Sequence, residues 1–134
     1  MKERELINAA IAAMKKAYAP YSSFYVGAAL LAKSGAVYTG CNVENASYGA
    51  CNCAERTAVF KAVSEGERSF RAIAIVGGKG GEINGFCPPC GICRQVLSEF
   101  AGEDFRILLF DGKNEKTLTI AELLPHSFAK NNLE

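Results

Sequence analysis

Apolar residues recur along this chain with two different periods, and the switches between them outline most of the fold. Leu6, Ile7, Ala10, Ile11, Met14 and Tyr18 return at helical spacing, which predicts an amphipathic helix over residues 3–18, ended by Pro20. Phe24 to Ala32 is apolar at nearly every position, the pattern of a strand covered on both faces. Lys33-Ser34-Gly35 predicts a tight turn into a second strand, Ala36 to Cys41, closing a hairpin. A loop rich in Asn, Gly and Ser runs through Gly49, after which Asn52 is placed to cap a helix from Cys53 to about Ser64. Arg71 to Val76 reads as a short buried strand stopped by Gly77-Gly78, and the glycines and prolines of 79–89 read as irregular loop. Next come a helix from about Cys90 to Phe100, a strand from Arg106 to Phe110 and a turn at 111–114. A short strand from Lys116 to Thr119 and a helical turn from Ile120 to Leu124 follow, stopped by Pro125. Strands alternating with helices predict one α/β domain over residues 1–134, a three-layer α/β/α arrangement around a mixed sheet of about five strands.

Composition narrows the partners. The 134 residues are 49% hydrophobic and 22% charged, with a formal net charge of +1, and no basic block interrupts them. A nucleic-acid groove needs concentrated positive charge, so a polymeric DNA or RNA partner is not expected and a small polar substrate is. The first residues, Met1-Lys2-Glu3-Arg4-Glu5, lack the apolar core of a signal peptide, and no run approaches the roughly 20 apolar residues of a membrane helix. A cytoplasmic protein is the expectation, with its 6 cysteines acting as metal ligands or free thiols and not as disulfides.

Those cysteines hold the candidate chemistry. Cys53-Ala54-Glu55 in the first half of the chain is answered by Pro89-Cys90-Gly91-Ile92-Cys93 in the second. Three thiolates can hold a zinc ion and leave one position open, which separates a catalytic zinc from a closed, four-ligand structural one. Glu55 is then the natural proton handler for water at that open position. Cys or His, x, Glu followed by Pro-Cys-x-x-Cys is the known signature of zinc deaminases that act on bases. Two Cys-x-x-Cys pairs overlap. Cys87 and Cys90 enclose two prolines, which have no N–H to offer a bound sulfur, whereas Gly91 and Ile92 between Cys90 and Cys93 keep theirs. Cys53, Cys90 and Cys93 are therefore the predicted ligands, with Cys87 a free loop thiol and Cys41 and Cys51 core or loop thiols. Both cysteine sites fall at predicted helix starts, where unpaired N–H groups and the helix dipole favour thiolate. Three thiolates around zinc(II) leave a net negative charge, which Arg56 is placed to offset by hydrogen-bonding them. Glu55 has a plainer alternative role as the third residue of a capping box with Asn52.

Over nearly its whole length the sequence resembles the short, homotetrameric cytidine deaminases. The densest blocks are Phe24-Tyr25-Val26-Gly27-Ala28-Ala29, Thr39 through Gly49, Cys53-Ala54-Glu55-Arg56-Thr57-Ala58, and Pro89-Cys90-Gly91-Ile92-Cys93-Arg94-Gln95-Val96. The resemblance implies one zinc per chain on Cys53, Cys90 and Cys93, with a hydroxide attacking C4 of cytosine. It implies that Glu55 protonates N3 and helps ammonia leave, giving uridine from cytidine and 2'-deoxyuridine from 2'-deoxycytidine, as in pyrimidine salvage. By the same resemblance, Ala54 contacts the pyrimidine through its backbone, Asn42 and Glu44 contact the ribose, and Phe24 lines the base pocket. The resemblance also implies that Phe128, near the C-terminus, places a ring over the base in a neighbouring subunit of a homotetramer.

Taken alone, Asn42 and Glu44 are ordinary solvated loop residues and Phe24 an ordinary core aromatic. His126, the one histidine, is expected to be exposed and receives no catalytic role. The loop from Gly77 to Pro88 looks unusual for the family. Two rival classes remain: a zinc-stabilised interaction module with a fourth sulfur ligand, and a redox protein built on Cys87-Pro88-Pro89-Cys90. A deaminase of another cytosine compound, such as blasticidin S, would share the metal chemistry.

Overall fold

The computed structural model describes all residues, 1–134. Its elements are α1 (Glu3–Met14), β1 (Phe24–Ala32), β2 (Val37–Cys41), α2 (Ala54–Ser64), β3 (Phe70–Lys79), α3 (Gly91–Phe100), β4 (Arg106–Phe110), β5 (Glu115–Leu118) and α4 (Ile120–Leu123), with short 3-10 turns at Tyr48–Ala50 and Lys130–Leu133. The strands form one five-stranded sheet in the order β2-β1-β3-β4-β5. Only the β3–β4 pair is parallel, and α3 is the crossover between them.

Alternation along the strands sorts the core into two layers. Ala29 and Leu31 of β1, Ala74 and Val76 of β3, and Leu108 and Phe110 of β4 pack against Leu6, Ile7, Ala10 and Met14 of α1. Ala28, Leu30, Ile73, Ile75, Ile107 and Leu109 face the other way, against Ala54, Ala58, Val59 and Ala62 of α2 and Leu97 of α3. This is the expected α/β/α arrangement. Two strand glycines set how closely the helices approach. A Cβ on Gly27 would strike the Ala10 carbonyl and the Met14 backbone of α1. A Cβ on Gly40 would lie 2.5 Å from the Ala54 carbonyl and 2.6 Å from the Ala58 nitrogen, so this glycine seats the first turn of α2 directly on β2.

Several element ends shift by one residue from the periodic reading, and three differences bear on the site. The first helix stops at Met14 and not at Tyr18, because the Tyr18 backbone is engaged elsewhere: its N–H donates to Asn42 O at 3.0 Å and its carbonyl accepts from Glu44 N at 2.9 Å. The N-cap of α2 is Cys53, not Asn52. Asn52 instead pairs its backbone with Val43 and donates from Nδ2 to Thr57 Oγ1 at 3.0 Å. Gly77 and Gly78 do not stop β3; they continue it, opposite Val26 and Tyr25 of β1. The lack of a side chain is what this stretch requires, since a Cβ on Gly77 would meet Cys87 Sγ at 2.9 Å and one on Gly78 the Glu82 carbonyl.

Candidate active site

The N-termini of α2 and α3 converge beyond one end of the sheet. Cys53 is the N-cap of α2 and Cys90 the N-cap of α3, both with extended backbone, and Cys93 lies one turn into α3. Both helices thus turn their unpaired N–H groups and positive ends toward the same sulfurs. The three Sγ atoms all lie within 4.8 Å of one another, and Cys53 Sγ stands 3.7 Å from Cys90 Sγ. Tetrahedral zinc–sulfur bonds of about 2.3 Å place neighbouring sulfurs about 3.8 Å apart, so the triad fits that ion. Of the two overlapping pairs, Cys90 and Cys93 belong to this cluster and Cys87 does not.

Charge in the triad is unevenly held. Hydrogen bonding from the Cys93 thiol, aided by Arg56 and Cys90, draws Cys53 down to about 5, while the same bond to Cys53 pushes Cys93 up. Neighbouring thiols cannot all ionise without a cation among them. Arg56 supplies part of that charge: its Nη2 donates to Cys53 Sγ at 3.1 Å. Burial works against its cation, but the Cys53 and Cys93 sulfurs hold its pKa above the usual arginine range. Arg56 Nε is buried without a partner.

Glu55 is the one buried acidic residue, 4% exposed. Burial, with the Cys53 charge adding to it, pushes its carboxyl up to about 7. A carboxyl titrating there can both take and return a proton near neutral pH. Its capping-box role is not formed, since Cys53 and not Asn52 is the N-cap of α2 and no side chain caps the helix.

A cleft of about 320 Å³ opens over these groups, lined by Phe24 and Val26 of β1, Asn42 and Glu44, Cys53 through Arg56, and Cys87 to Cys90 without Pro89. That size is ordinary for a small-ligand pocket. Asn42 and Glu44 reach it in a more committed state than free loop side chains. Asn42 Oδ1 accepts from Val26 N at 2.9 Å and its Nδ2 donates to Phe24 O at 2.8 Å, splicing the loop to β1. Glu44 accepts from Tyr21 N at 2.9 Å, from Ser22 N at 3.1 Å and from Ser22 Oγ, and these bonds lower its pKa. Ser22 Oγ in turn accepts from Phe24 N at 3.0 Å, so Glu44 shapes the turn that aims Phe24 at the cleft. Ser22, Cys51 and Asn52 also line the cleft; no periodicity in the sequence marks them. Cys87 is more than a loop thiol: it forms part of the wall, and burial beside Glu55 and Cys53 pushes it up to about 12. Phe128 is not brought to this cleft. It is 62% exposed and its carbonyl accepts from Gln95 Nε2 at 2.8 Å. His126 is exposed, as expected.

Comparison with known proteins agrees with this geometry. Residues 1–108 match the family described as the cytidine and deoxycytidylate deaminase zinc-binding region. The chain is 48% identical over 134 residues to the cytidine deaminase of Sporosarcina psychrophila, covering 99% of this chain and 96% of the other. It is also 48% identical to that of Halalkalibacterium halodurans, at 99% and 98% coverage. Among solved structures, the cytidine deaminase of Burkholderia pseudomallei superposes with a TM-score of 0.87 at 50% identity, covering 96% of this chain and 100% of that one. A buried carboxyl beside a three-sulfur cage, this fold and this match over most of the sequence lead to one assignment: the chain belongs to the cytidine and deoxycytidylate deaminase family, with its zinc-binding region.

Proposed function

We propose that this chain is a zinc-dependent hydrolase that converts cytidine to uridine, and 2'-deoxycytidine to 2'-deoxyuridine, releasing ammonia, within one domain spanning residues 1–134. The observation that carries the reading is the buried Glu55 carboxyl two residues from Cys53, in a cleft that Cys53 and Cys90 of the three-cysteine cluster also line. The names of the similar proteins support the substrate.

Cys53, Cys90 and Cys93 would hold the zinc, and when bound it supplies the Lewis acidity that brings the pKa of a water to about 7. The base enters between Phe24 and the first turn of α2. There the N–H of Ala54, unpaired at a helix start, is free to hydrogen-bond the ring. Glu55 takes the proton from the attacking water and delivers it to N3 as oxygen adds at C4. It then takes the remaining proton from the C4 hydroxyl and passes it to the exocyclic amine, the C4–N4 bond breaks as the C4 carbonyl forms, and ammonia departs. Water adds, ammonia leaves, and Glu55 ends as it began. Arg56 offsets the thiolate charge so that the cage stays acidic enough to act. Asn42 and Glu44 face the ribose with the acceptor and donor capacity left over from their bonds to β1 and the 21–24 turn.

The assembly follows the family: a homotetramer in the cytoplasm, serving pyrimidine salvage, with sites completed across subunits. Support for the shared site comes from Phe128, exposed outside the cleft of its own chain while that cleft stands open. No helix is long and apolar enough to cross a membrane.

A competition assay among cytidine, 2'-deoxycytidine and blasticidin S, followed by ultraviolet absorbance, tests the assignment. Both nucleosides are expected to be consumed ahead of the antibiotic. Turnover of the antibiotic alone would overturn the substrate.

A further inference from the structure

Two consecutive side chains of α3 each hydrogen-bond the main chain of the C-terminal segment. Arg94 directly follows Cys93, and its guanidinium spans two carbonyls: Nε donates to Pro89 O at 2.7 Å and Nη1 to Leu123 O at 2.7 Å. Pro89 is buried and immediately precedes Cys90. Leu123 ends α4, packs on the core, and belongs to a turn fixed by the Thr119–Glu122 capping box. The next residue of α3, Gln95, holds the Phe128 carbonyl at 2.8 Å. One turn of α3 therefore grips the loop entering the metal triad on one side and the main chain of the tail on the other. Phe128 itself is 62% exposed.

We propose that Arg94 and Gln95 are positioning residues that fasten the C-terminal segment to the metal-bearing helix, so that Phe128 is presented in a fixed direction to the cleft of a neighbouring copy. This inference rests on the shared-site reading given above. A planar guanidinium suits the task because it offers donors in fixed directions to two acceptors at once, whereas an ammonium is a single point charge on a flexible stem. A tail left loose would have to be ordered each time substrate bound, and that entropy would be charged to binding and not to chemistry.

The test compares native protein with Phe128→Ala, Arg94→Lys, Gln95→Leu and the two double variants containing Phe128→Ala, reading zinc content, tetramer mass, and KM and kcat for cytidine. Each single variant is expected to keep one zinc per chain and to raise KM about fivefold or more with kcat changed less than about twofold. Because both residues act through the same ring, each double variant should be no worse than Phe128→Ala alone. Additive losses in the doubles would overturn the proposal, as would a native KM for both Arg94→Lys and Gln95→Leu when Phe128→Ala raises it. A native KM for Phe128→Ala itself would sink the shared site and the proposal with it. Gln95→Leu leaves the Pro89 carbonyl bonded and decides the matter where Arg94→Lys does not yield folded protein.

Discussion

At the scale of single residues, the environment of Glu55 sets both its chemistry and a stability signature. Removing only its acidity, with Glu55→Gln, should lower turnover by at least about 1,000-fold while zinc content stays at one per chain. A variant that keeps full turnover would make the carboxyl a spectator. Burial holds the Glu55 carboxyl up to about 7 against an ordinary value of 4.5. The folded chain therefore keeps a proton that the unfolded chain has released. Its contribution is complete below 4.5 and is lost as pH rises toward 7. In metal-free protein, Glu55→Gln should gain on the native chain by up to about 1.4 kcal/mol per pH unit across that window, read from urea unfolding. A difference that stays constant with pH would contradict the buried carboxyl. The clustering of Cys53, Cys90 and Cys93 beside Glu55 was legible in the sequence because helix starts, thiol spacing and one adjacent acid leave a local mark. The partners of Asn42 and Glu44 were not, because they lie on β1 and in the turn before it, which only the tertiary fold brings alongside.

At the scale of elements, β1 and β4 were found to the residue because continuous apolar runs ended by turn residues have one reading. Helix and strand ends were harder. Tyr18 keeps helical phase while its backbone is spent on the loop at 42–44, and Gly77-Gly78 look like a stop while serving as a place for close approach. The site depends on such an approach at Gly40, against which the first turn of α2 rests. Gly40→Ala should cost about 1–3 kcal/mol and reduce turnover as well, because any relief moves Ala54 and its neighbours Cys53 and Glu55. Gly85, with nothing near its Cβ position, is the control; Gly85→Ala should stay within about 0.5 kcal/mol of native in thermal unfolding. Equal effects at the two positions would mean that the β2–α2 contact does not position the site.

At the scale of the whole molecule, the layered sheet was legible from the alternation of periods, whereas assembly entered only through the family resemblance, since one exposed residue such as Phe128 looks like any other until a second copy is considered. Shared sites predict complementation. Mixing Glu55→Gln chains, which keep Phe128, with Phe128→Ala chains, which keep Glu55, should after subunit exchange give some sites that carry both groups and a low KM for cytidine. No recovery on mixing would mean that each chain works alone. Beneath all of this lies a cage of three sulfurs beside a buried acid. X-ray absorption at the zinc edge of the reduced protein tests it most directly: it should report three sulfur neighbours at about 2.3 Å and a fourth neighbour that is not sulfur. Four sulfur neighbours would make the site a closed structural one and contradict the account.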